Sequence, residues 1–214
     1  MSRIEVKICG LSTAETLGAA MRHGASHVGF VHFPKSPRHV DLPALAGLAG
    51  QVAAHVGRVA VLVDPDDNLV DALAATGVLT ALQLHGKETP ARAAEICARS
   101  GLEIWKAVSV KQASDVTGGG AYVGAAQRIL FDAKTPDGAA LPGGMGLRFD
   151  WTLLRGYRGL APWGLSGGLD CENVSLAIAE TGAPLVDVSS GVESAPGVKN
   201  VDKIAAFCKA VAAS

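Results

Sequence analysis

The sequence repeats one local pattern eight times: a short β-branched run, a turn with glycine or polar residues, and a stretch rich in alanine and leucine. The predicted strands span Ile4–Cys9, His27–Phe33, Arg58–Asp64, Ala81–His85, Glu103–Val108, Arg128–Ala133, Ala161–Ser166 and Leu185–Ser190. Helices are predicted near residues 13–23, 41–55, 67–76, 90–100, 111–117, 150–157, 172–181 and 200–212. Strict alternation of strand and helix is typical of a parallel sheet covered by helices, which predicts the α/β class.

Two architectures satisfy this alternation: an open doubly wound sheet and a closed (β/α)8 barrel. The chain has 214 residues, which is close to the lower size limit of about 200 residues for such a barrel. An open dinucleotide-binding sheet needs a Gly-x-Gly-x-x-Gly turn after its first strand, whereas this chain has Cys9-Gly10-Leu11-Ser12 there. The sequence therefore predicts one domain, residues 1–214, folded as an eight-stranded parallel barrel of the TIM type.

Charge and hydropathy exclude several kinds of partner. Nineteen Lys and Arg residues against 20 Asp and Glu give a net charge of −1, so we expect no basic surface that holds a nucleic acid. No apolar run approaches the roughly 18 residues that span a bilayer, and residues 1–10 do not form the apolar core of a signal peptide. We expect a cytoplasmic protein with no membrane partner. Because no helix pattern indicates a large exposed apolar face, we also expect a monomer.

The four cysteines, Cys9, Cys97, Cys171 and Cys208, are widely spaced. They form no Cys-x-x-Cys motif and no cluster with histidine at the spacing of zinc ligands. We therefore expect reduced thiols and no bound metal.

Alternation along each predicted strand indicates which side chains enter the barrel, because the outward set must be apolar to meet the helices. The polar residues predicted to face inward, together with Cys9, are Glu5, Lys7, Gln83, His85, Lys106, Asp132, Lys134, Asp187 and Ser189. For Glu5 and Lys7, deep in the barrel, we expect a structural role. Inward residues at the carboxyl ends of the strands converge on one mouth, where barrel active sites lie, so Cys9, His85 and Asp132 are candidate site residues.

Two turns at that mouth have the composition of a phosphate site. Ser166-Gly167-Gly168 follows the seventh strand, and Ser189-Ser190-Gly191 closes the eighth. The loops after strands seven and eight commonly bind phosphate in such barrels, because glycine lets backbone N–H groups approach the oxygens and serine adds hydroxyl donors. The predicted ligand is a small phosphorylated molecule, and the predicted phosphate-binding residues are Gly167, Gly168, Ser189, Ser190 and Gly191.

Seven short motifs occur in order along nearly the full chain. They are Lys7-Ile8-Cys9-Gly10; Val28-Gly29-Phe30 running to Phe33-Pro34-Lys35-Ser36-Pro37-Arg38; Leu82-Gln83-Leu84-His85-Gly86; Asp132-Ala133-Lys134; Gly143-Gly144-Met145-Gly146 before Phe149-Asp150-Trp151; Ser166-Gly167-Gly168-Leu169; and Asp187-Val188-Ser189-Ser190-Gly191-Val192-Glu193 with Pro196-Gly197. Each motif alone is modest. Their order and spacing together resemble the phosphoribosylanthranilate isomerase family of tryptophan biosynthesis.

The resemblance implies an Amadori rearrangement without cofactor or metal, which converts N-(5-phosphoribosyl)anthranilate into 1-(2-carboxyphenylamino)-1-deoxyribulose 5-phosphate. It implies that Asp132 is the general acid that protonates the ring oxygen and that Cys9 is the base that removes the C2 proton. It also implies that Arg38 binds the anthranilate carboxylate and that His85 lines the site. We hypothesise that burial keeps Asp132 protonated and that Lys7 favours the Cys9 thiolate.

The chain departs from the family pattern in two places. After strand six the family often has Gly-Ser/Thr-Gly-Lys, whereas this chain reads Gly144-Met145-Gly146-Leu147-Arg148. The loop cation is thereby displaced to Arg148, which puts its contact to substrate in doubt. Asn200 stands where the family commonly has Asp, and asparagine still caps a helix well.

Other functions are compatible with the same barrel. An aldolase-like enzyme would form a Schiff base on Lys134 or Lys106. A metal-dependent epimerase would need paired His and Asp ligands that the strand ends lack. A non-catalytic phosphosugar-binding protein would need the phosphate turns but not Cys9 and Asp132. The sequence leaves open whether a second aminoaldose is also a substrate.

Overall fold

The computed structural model describes residues 3–133, 143, 146–159 and 161–214. Eight parallel strands form a closed barrel in chain order, and β1 pairs with both β2 and β8. The strands are β1 (Glu5–Cys9), β2 (His27–Val31), β3 (Gly57–Leu62), β4 (Ala81–Leu84), β5 (Glu103–Val110), β6 (Arg128–Ala133), β7 (Trp163–Leu165) and β8 (Leu185–Val188). The predicted (β/α)8 barrel is confirmed.

Helices cover the outside of the barrel. They are α1 (Ala14–Arg22), α2 (Leu42–Ala49), α3 (Asp67–Ala75), α4 (Pro90–Ser100), α5 (Ala113–Gly118), α6 (Val174–Thr181) and α7 (Val201–Ala212). Side chains of Thr13, Asp41, Asp66, Thr89 and Asn200 accept a hydrogen bond from a backbone N–H in the first turn. Asn200 therefore caps α7 as predicted. Among the described residues, none of the helices combines the length and apolar character needed to cross a membrane.

The predicted helix at residues 150–157 is wrong. A short 3-10 helix, Trp151–Leu154, occupies this connection instead. Asp150 accepts a hydrogen bond from Thr152 N–H and opens the turn, and Gly156 follows with a φ of 71°. This left-handed conformation suits glycine and cannot continue a right-handed helix.

A hairpin that the sequence did not predict follows β8. It pairs β9 (Glu193–Ala195) antiparallel with β10 (Val198–Lys199), after a 3-10 turn at Ser190–Val192. The hairpin carries Glu193 and Lys199, two buried charged residues.

Apolar residues pack in two places. An outer layer between strands and helices contains Ile8, Phe131 and Val186, as the alternation predicted. A smaller cluster fills the barrel interior and consists of Val59, Ala81, Trp105, Leu130 and Leu185.

The predicted inward orientation of Lys106 is wrong, because Trp105 takes the interior position on β5. Lys106 Nζ instead contacts Glu88 Oε2 at 2.8 Å, Gly86 O at 2.8 Å and Leu84 O at 3.2 Å. Three oxygen partners satisfy the ammonium group outside the barrel interior, which makes this orientation favourable.

Candidate active site

A cavity opens at the carboxyl ends of the strands and holds about 820 Å³, including its open mouth. Eight of the nine predicted site residues line the cavity: Cys9, Arg38, His85, Asp132, Gly167, Gly168, Ser189 and Ser190. Gly191 does not line it. The structure therefore brings the candidate acid, the candidate base and both serine-glycine turns to one space.

Cys9 ends β1 and faces the cavity while its side chain is buried. Gly29, paired with it on β2, leaves the space that the thiol and Lys7 share. A Cβ at Gly29 would lie 3.0 Å from Cys9 Sγ and 3.2 Å from Lys7 Cε. Burial raises the pKa of Cys9, Lys7 lowers it, and the charge of Asp187 raises it. Lys7 thus acts in the hypothesised direction, but burial outweighs its effect on the thiol.

Lys7 forms a buried ion pair with Asp187 of β8. Its Nζ lies 2.9 Å from Asp187 Oδ1, and the two residues are register partners across β1 and β8. Burial disfavours charge on Lys7, but Asp187 and Cys9 together raise its pKa above the usual value. The expected structural role of Lys7 is therefore joined by an electrostatic one beside the thiol. Glu5, which starts the same strand, pairs with Arg128 at the opposite end of the barrel.

Asp132 lies across the cavity on β6. Its Oδ1 accepts a hydrogen bond from Ala133 N–H at 2.8 Å. Its Oδ2 lies 3.1 Å from His85 Nε2, in a direction that does not make a hydrogen bond, so Nε2 has no such partner among the described residues. A Cβ at Gly143 would lie 2.7 Å from His85 Nε2 and 2.8 Å from Asp132 Oδ2. Glycine at this position lets the loop after β6 approach the carboxyl group and the imidazole.

Arg38 lines the cavity and is 5% exposed. Its Nε and Nη2 donate to the two carboxylate oxygens of Glu193 at 2.7 and 2.8 Å, which fixes the plane of the guanidinium. Lys199 Nζ lies 2.6 Å from Glu193 Oε1. Burial raises the pKa of Glu193, but hydrogen bonds and charges from Arg38 and Lys199 outweigh it and lower the pKa.

The sequence interpretation assigned no role to Glu193 or Lys199. Glu193 belonged to a quoted motif, but neither the period of the chain nor local spacing indicates its contact with Arg38, 155 residues away. Only a comparison of positions that vary together could have found this pair.

One wall of the cavity is apolar. It is formed by Val31, Phe33, Val61 and Val63, which lie on or directly after the neighbouring strands β2 and β3. A planar aromatic group fits such a wall because its faces need no hydrogen-bond partner.

The two phosphate turns depend on glycine. Gly167 and Gly168 have φ values of 90° and 63°, which other residues rarely adopt. A Cβ at Gly191 would lie 1.9 Å from Leu169 O, so this glycine permits close contact between the turns after β7 and β8. Gly191 therefore shapes the site from behind the cavity wall.

Arg148, the displaced loop cation, contacts the turn after β7. Its Nε donates to Gly168 O at 3.1 Å, and its Nη2 lies 3.1 Å from Asp170 Oδ2. Arg148 does not line the cavity, whereas Leu147 does. Lys134, Gly144 and Met145 lie outside the described residues. Within residues 3–133, 143, 146–159 and 161–214, no group of three or more His, Cys, Asp and Glu side chains is placed to hold a metal ion.

Comparisons with known proteins agree with this geometry. The model of the N-(5'-phosphoribosyl)anthranilate (PRA) isomerase family matches residues 6–210. The N-(5'-phosphoribosyl)anthranilate isomerase of Zymomonas mobilis subsp. pomaceae is 52% identical over 97% of this chain and 98% of its own length.

Solved structures show the same similarity. A phosphoribosyl anthranilate isomerase in complex with reduced 1-(o-carboxyphenylamino)-1-deoxyribulose 5-phosphate superposes with a TM-score of 0.83 at 33% identity. The comparison covers 99% of this chain and all of that one. Monomers generated from the dimeric isomerase of Thermotoga maritima superpose with a TM-score of 0.82 at 34% identity, with the same coverage.

Proposed function

The chain belongs to the N-(5'-phosphoribosyl)anthranilate isomerase family and is an isomerase of tryptophan biosynthesis, and we propose that Asp132 and Cys9 are its general acid and base. The substrate is N-(5-phosphoribosyl)anthranilate, and the product is 1-(2-carboxyphenylamino)-1-deoxyribulose 5-phosphate. One observation carries the proposal: a thiol from β1 and a carboxyl group from β6 line the same cavity as the two serine-glycine turns. Opposed acid and base groups are what this rearrangement requires.

In the first step Asp132 gives its proton to the ring oxygen. The C1–O bond breaks, the nitrogen lone pair forms the C1=N bond, and an open-chain iminium results. The carboxyl group has become a carboxylate. Asp132 is buried and lines the cavity, which supports this step because the proton donor lies next to the space that a bound substrate would occupy.

In the second step the Cys9 thiolate takes the C2 proton. The C–H electrons form C1=C2, and the iminium electrons return to nitrogen, which gives an enaminol. The enaminol gains a proton at C1 from the Cys9 thiol and gives the proton of its C2 hydroxyl to the Asp132 carboxylate. Both groups thereby regain their starting protonation states, and substrate and product contain the same atoms. Burial raises the pKa of Cys9, so the thiolate is the minor form at neutral pH, and Lys7 is the group that favours it.

The remaining candidate residues hold the two ends of the substrate. Arg38 binds the anthranilate carboxylate, and the apolar wall accepts the aromatic ring. His85 contacts the substrate next to Asp132. The phosphate lies against Gly167, Gly168, Ser189 and Ser190, and Gly191 lets the turns after β7 and β8 approach each other behind them. Support comes from the complex of the relative described above, whose ligand has a carboxyphenyl group and a phosphate at opposite ends.

The test measures the fluorescence decrease as phosphoribosylanthranilate is consumed, as a function of pH, for Cys9→Ala and Asp132→Asn. We expect each variant to lose about 10²- to 10⁴-fold in kcat, the usual contribution of one acid or base group. The rising limb of kcat/KM, which reports thiolate formation, should be absent in Cys9→Ala. Cys208→Ala is the matched control, because Cys208 is a buried thiol on α7 that does not line the cavity.

A pH profile unchanged in both limbs by both substitutions contradicts the assignment. A Schiff-base mechanism would instead give a stable lysine adduct after borohydride treatment with a ketose phosphate. Lys106 is a poor candidate, since its Nζ is held by Glu88 and two carbonyl oxygens outside the cavity.

We also propose that residues 1–214 act as one catalytic domain and as a monomer in the cytoplasm. All the site residues lie on one barrel, and the four cysteines are unpaired, which suits a reducing compartment. Sedimentation equilibrium tests the monomer, for which the dimeric relative from Thermotoga maritima is the contrasting case. Cell fractionation tests the location.

A further inference from the structure

Glu193 contacts two buried cations that come from different parts of the chain. It lies on β9, and it is 7% exposed. Its Oε1 accepts from Arg38 Nε at 2.7 Å and from Lys199 Nζ at 2.6 Å. Its Oε2 accepts from Arg38 Nη2 at 2.8 Å. One carboxylate therefore holds both cations in place.

The two cations contact different parts of the proposed site. Arg38 lines the cavity and is the proposed partner of the anthranilate carboxylate. Lys199 Nζ donates to Ser189 O at 3.0 Å and to Ser189 Oγ at 3.2 Å, within a proposed phosphate turn. Ser189 Oγ in turn donates to Cys9 O at 3.2 Å. A continuous series of contacts thus runs from Arg38 through Glu193 and Lys199 to Ser189 and Cys9.

From this geometry we propose that Glu193 is a positioning residue that couples the carboxylate-binding end of the site to the phosphate-binding end. It acts through Arg38 and Lys199. The inference rests on the proposed function, from which it takes the ligands of Arg38 and of the Ser189 turn. Because Arg38 and Lys199 share one carboxylate, loss of its charge affects both cations.

The substitution Glu193→Gln keeps the shape of the side chain and removes its charge. Burial lowers the pKa of Lys199, and Glu193 opposes that effect. Without the carboxylate the pKa of Lys199 falls further, and the positive charge beside Ser189 is less favoured. Arg38 stays charged but loses the bidentate partner that orients its guanidinium. One substitution should therefore weaken binding at both ends of the cavity.

Lys199→Met separates the two effects. It removes the donor to Ser189 but leaves the bidentate contact between Arg38 and Glu193 intact. It should therefore weaken the phosphate end alone.

The experiment measures dissociation constants of inorganic phosphate and of anthranilate by ligand-observed NMR, which needs no turnover. Glu193→Gln should raise both dissociation constants by about tenfold, which is in the usual range of coupling between sites. Lys199→Met should raise the dissociation constant of phosphate by a similar factor and change that of anthranilate less than twofold. Glu5→Gln is the control: it removes an ion pair with Arg128 at the opposite end of the barrel and should change neither constant.

A Glu193→Gln variant that weakens one probe only, or neither, overturns the coupling. If circular dichroism shows that this variant is unfolded, Lys199→Met tests the proposal instead. An unchanged dissociation constant of phosphate in Lys199→Met contradicts the connection through Lys199. A wild-type protein that binds both probes and isomerises substrate, with variants that bind equally well, refutes this inference alone. A wild-type protein that binds neither probe and does not isomerise substrate refutes the proposed function, and the coupling fails with it.

Discussion

Replacing Lys7 with methionine should destabilise the barrel and shift the pH dependence of the enzyme together. Lys7 is fully buried, and its Nζ lies 2.9 Å from Asp187 Oδ1. Methionine keeps most of the apolar stem but leaves Asp187 as a buried carboxylate without its cation. Breaking a buried ion pair in this way costs about 3–5 kcal/mol.

Asp187 lines the cavity, and Ser166 Oγ also donates to its Oδ2 at 3.5 Å, so we expect the lower end of that range, about 3 kcal/mol. At about 2–4 °C per kcal/mol for a chain of this size, the melting temperature should fall by roughly 6–12 °C. The pair raises the pKa of Lys7 above 10.5. Its stabilisation is therefore complete below pH 10.5 and is lost as the pH rises through the raised pKa, so measurements at pH 7 to 8 report the full effect.

The same substitution acts on the thiol. Lys7 lowers the pKa of Cys9, and Asp187 raises it, so removing only the lysine raises that pKa further. The rising limb of kcat/KM should move to higher pH in Lys7→Met. It should move less in Lys7→Met/Asp187→Asn, where both charges are absent.

Unfolding in guanidinium chloride measures the free energy of unfolding of the wild type, of Lys7→Met, of Asp187→Asn and of the double variant. The double variant should be more stable than Lys7→Met, because no uncompensated charge remains. A loss of less than about 1 kcal/mol in Lys7→Met, or a double variant no more stable than Lys7→Met, would show that an unpaired Asp187 carboxylate does not destabilise the barrel.

Three further predictions concern single positions. Burial lowers the pKa of His27 to about 4 in the folded protein. In the unfolded chain the same imidazole takes up a proton below about pH 6.5. The free energy of unfolding should thus fall by about 3 kcal/mol between pH 6.5 and pH 4, and denaturant unfolding of His27→Gln should show no such fall. Gly191→Ala would place a Cβ 1.9 Å from Leu169 O. Steady-state kinetics should show that KM rises by a larger factor than kcat falls, and equal factors would contradict a role of this turn in phosphate binding. Gly29→Ala would place a Cβ 3.0 Å from Cys9 Sγ. In this variant kcat should fall at least about tenfold while the affinity for phosphate is unchanged. An unchanged kcat would count against Cys9 as the base.

Alternation along the strands predicted which side chains face the site, because the outward positions of each strand must be apolar to meet the helices. That rule placed Cys9, Asp132 and Asp187 correctly in the cavity. It failed on β5, where Trp105 and Lys106 are adjacent and each combines an apolar stem or ring with a polar end. Only the shape of the barrel interior decides between them.

The contact between Arg38 and Glu193 was beyond the sequence for a different reason. The strands of the hairpin, Glu193–Ala195 and Val198–Lys199, are too short to show a period. The pairing also depends on where the loop after β2 meets the end of β8. Nothing local to either segment encodes that meeting, so an alternation rule cannot find it.

Buried ion pairs in this molecule occur mainly near the mouth, while apolar side chains fill the barrel interior. Within the part of the chain that the structure describes, the buried pairs are Lys7 with Asp187, Arg38 with Glu193, Lys199 with Glu193, and Lys106 with Glu88. Such pairs add little net stability compared with apolar residues of equal volume, so stability does not explain their placement. Each instead holds a group next to the site: the thiol environment, the guanidinium, the Ser189 turn, and the turn that begins at Gly86 after His85. Orientation of the site is therefore the physical reason for their burial.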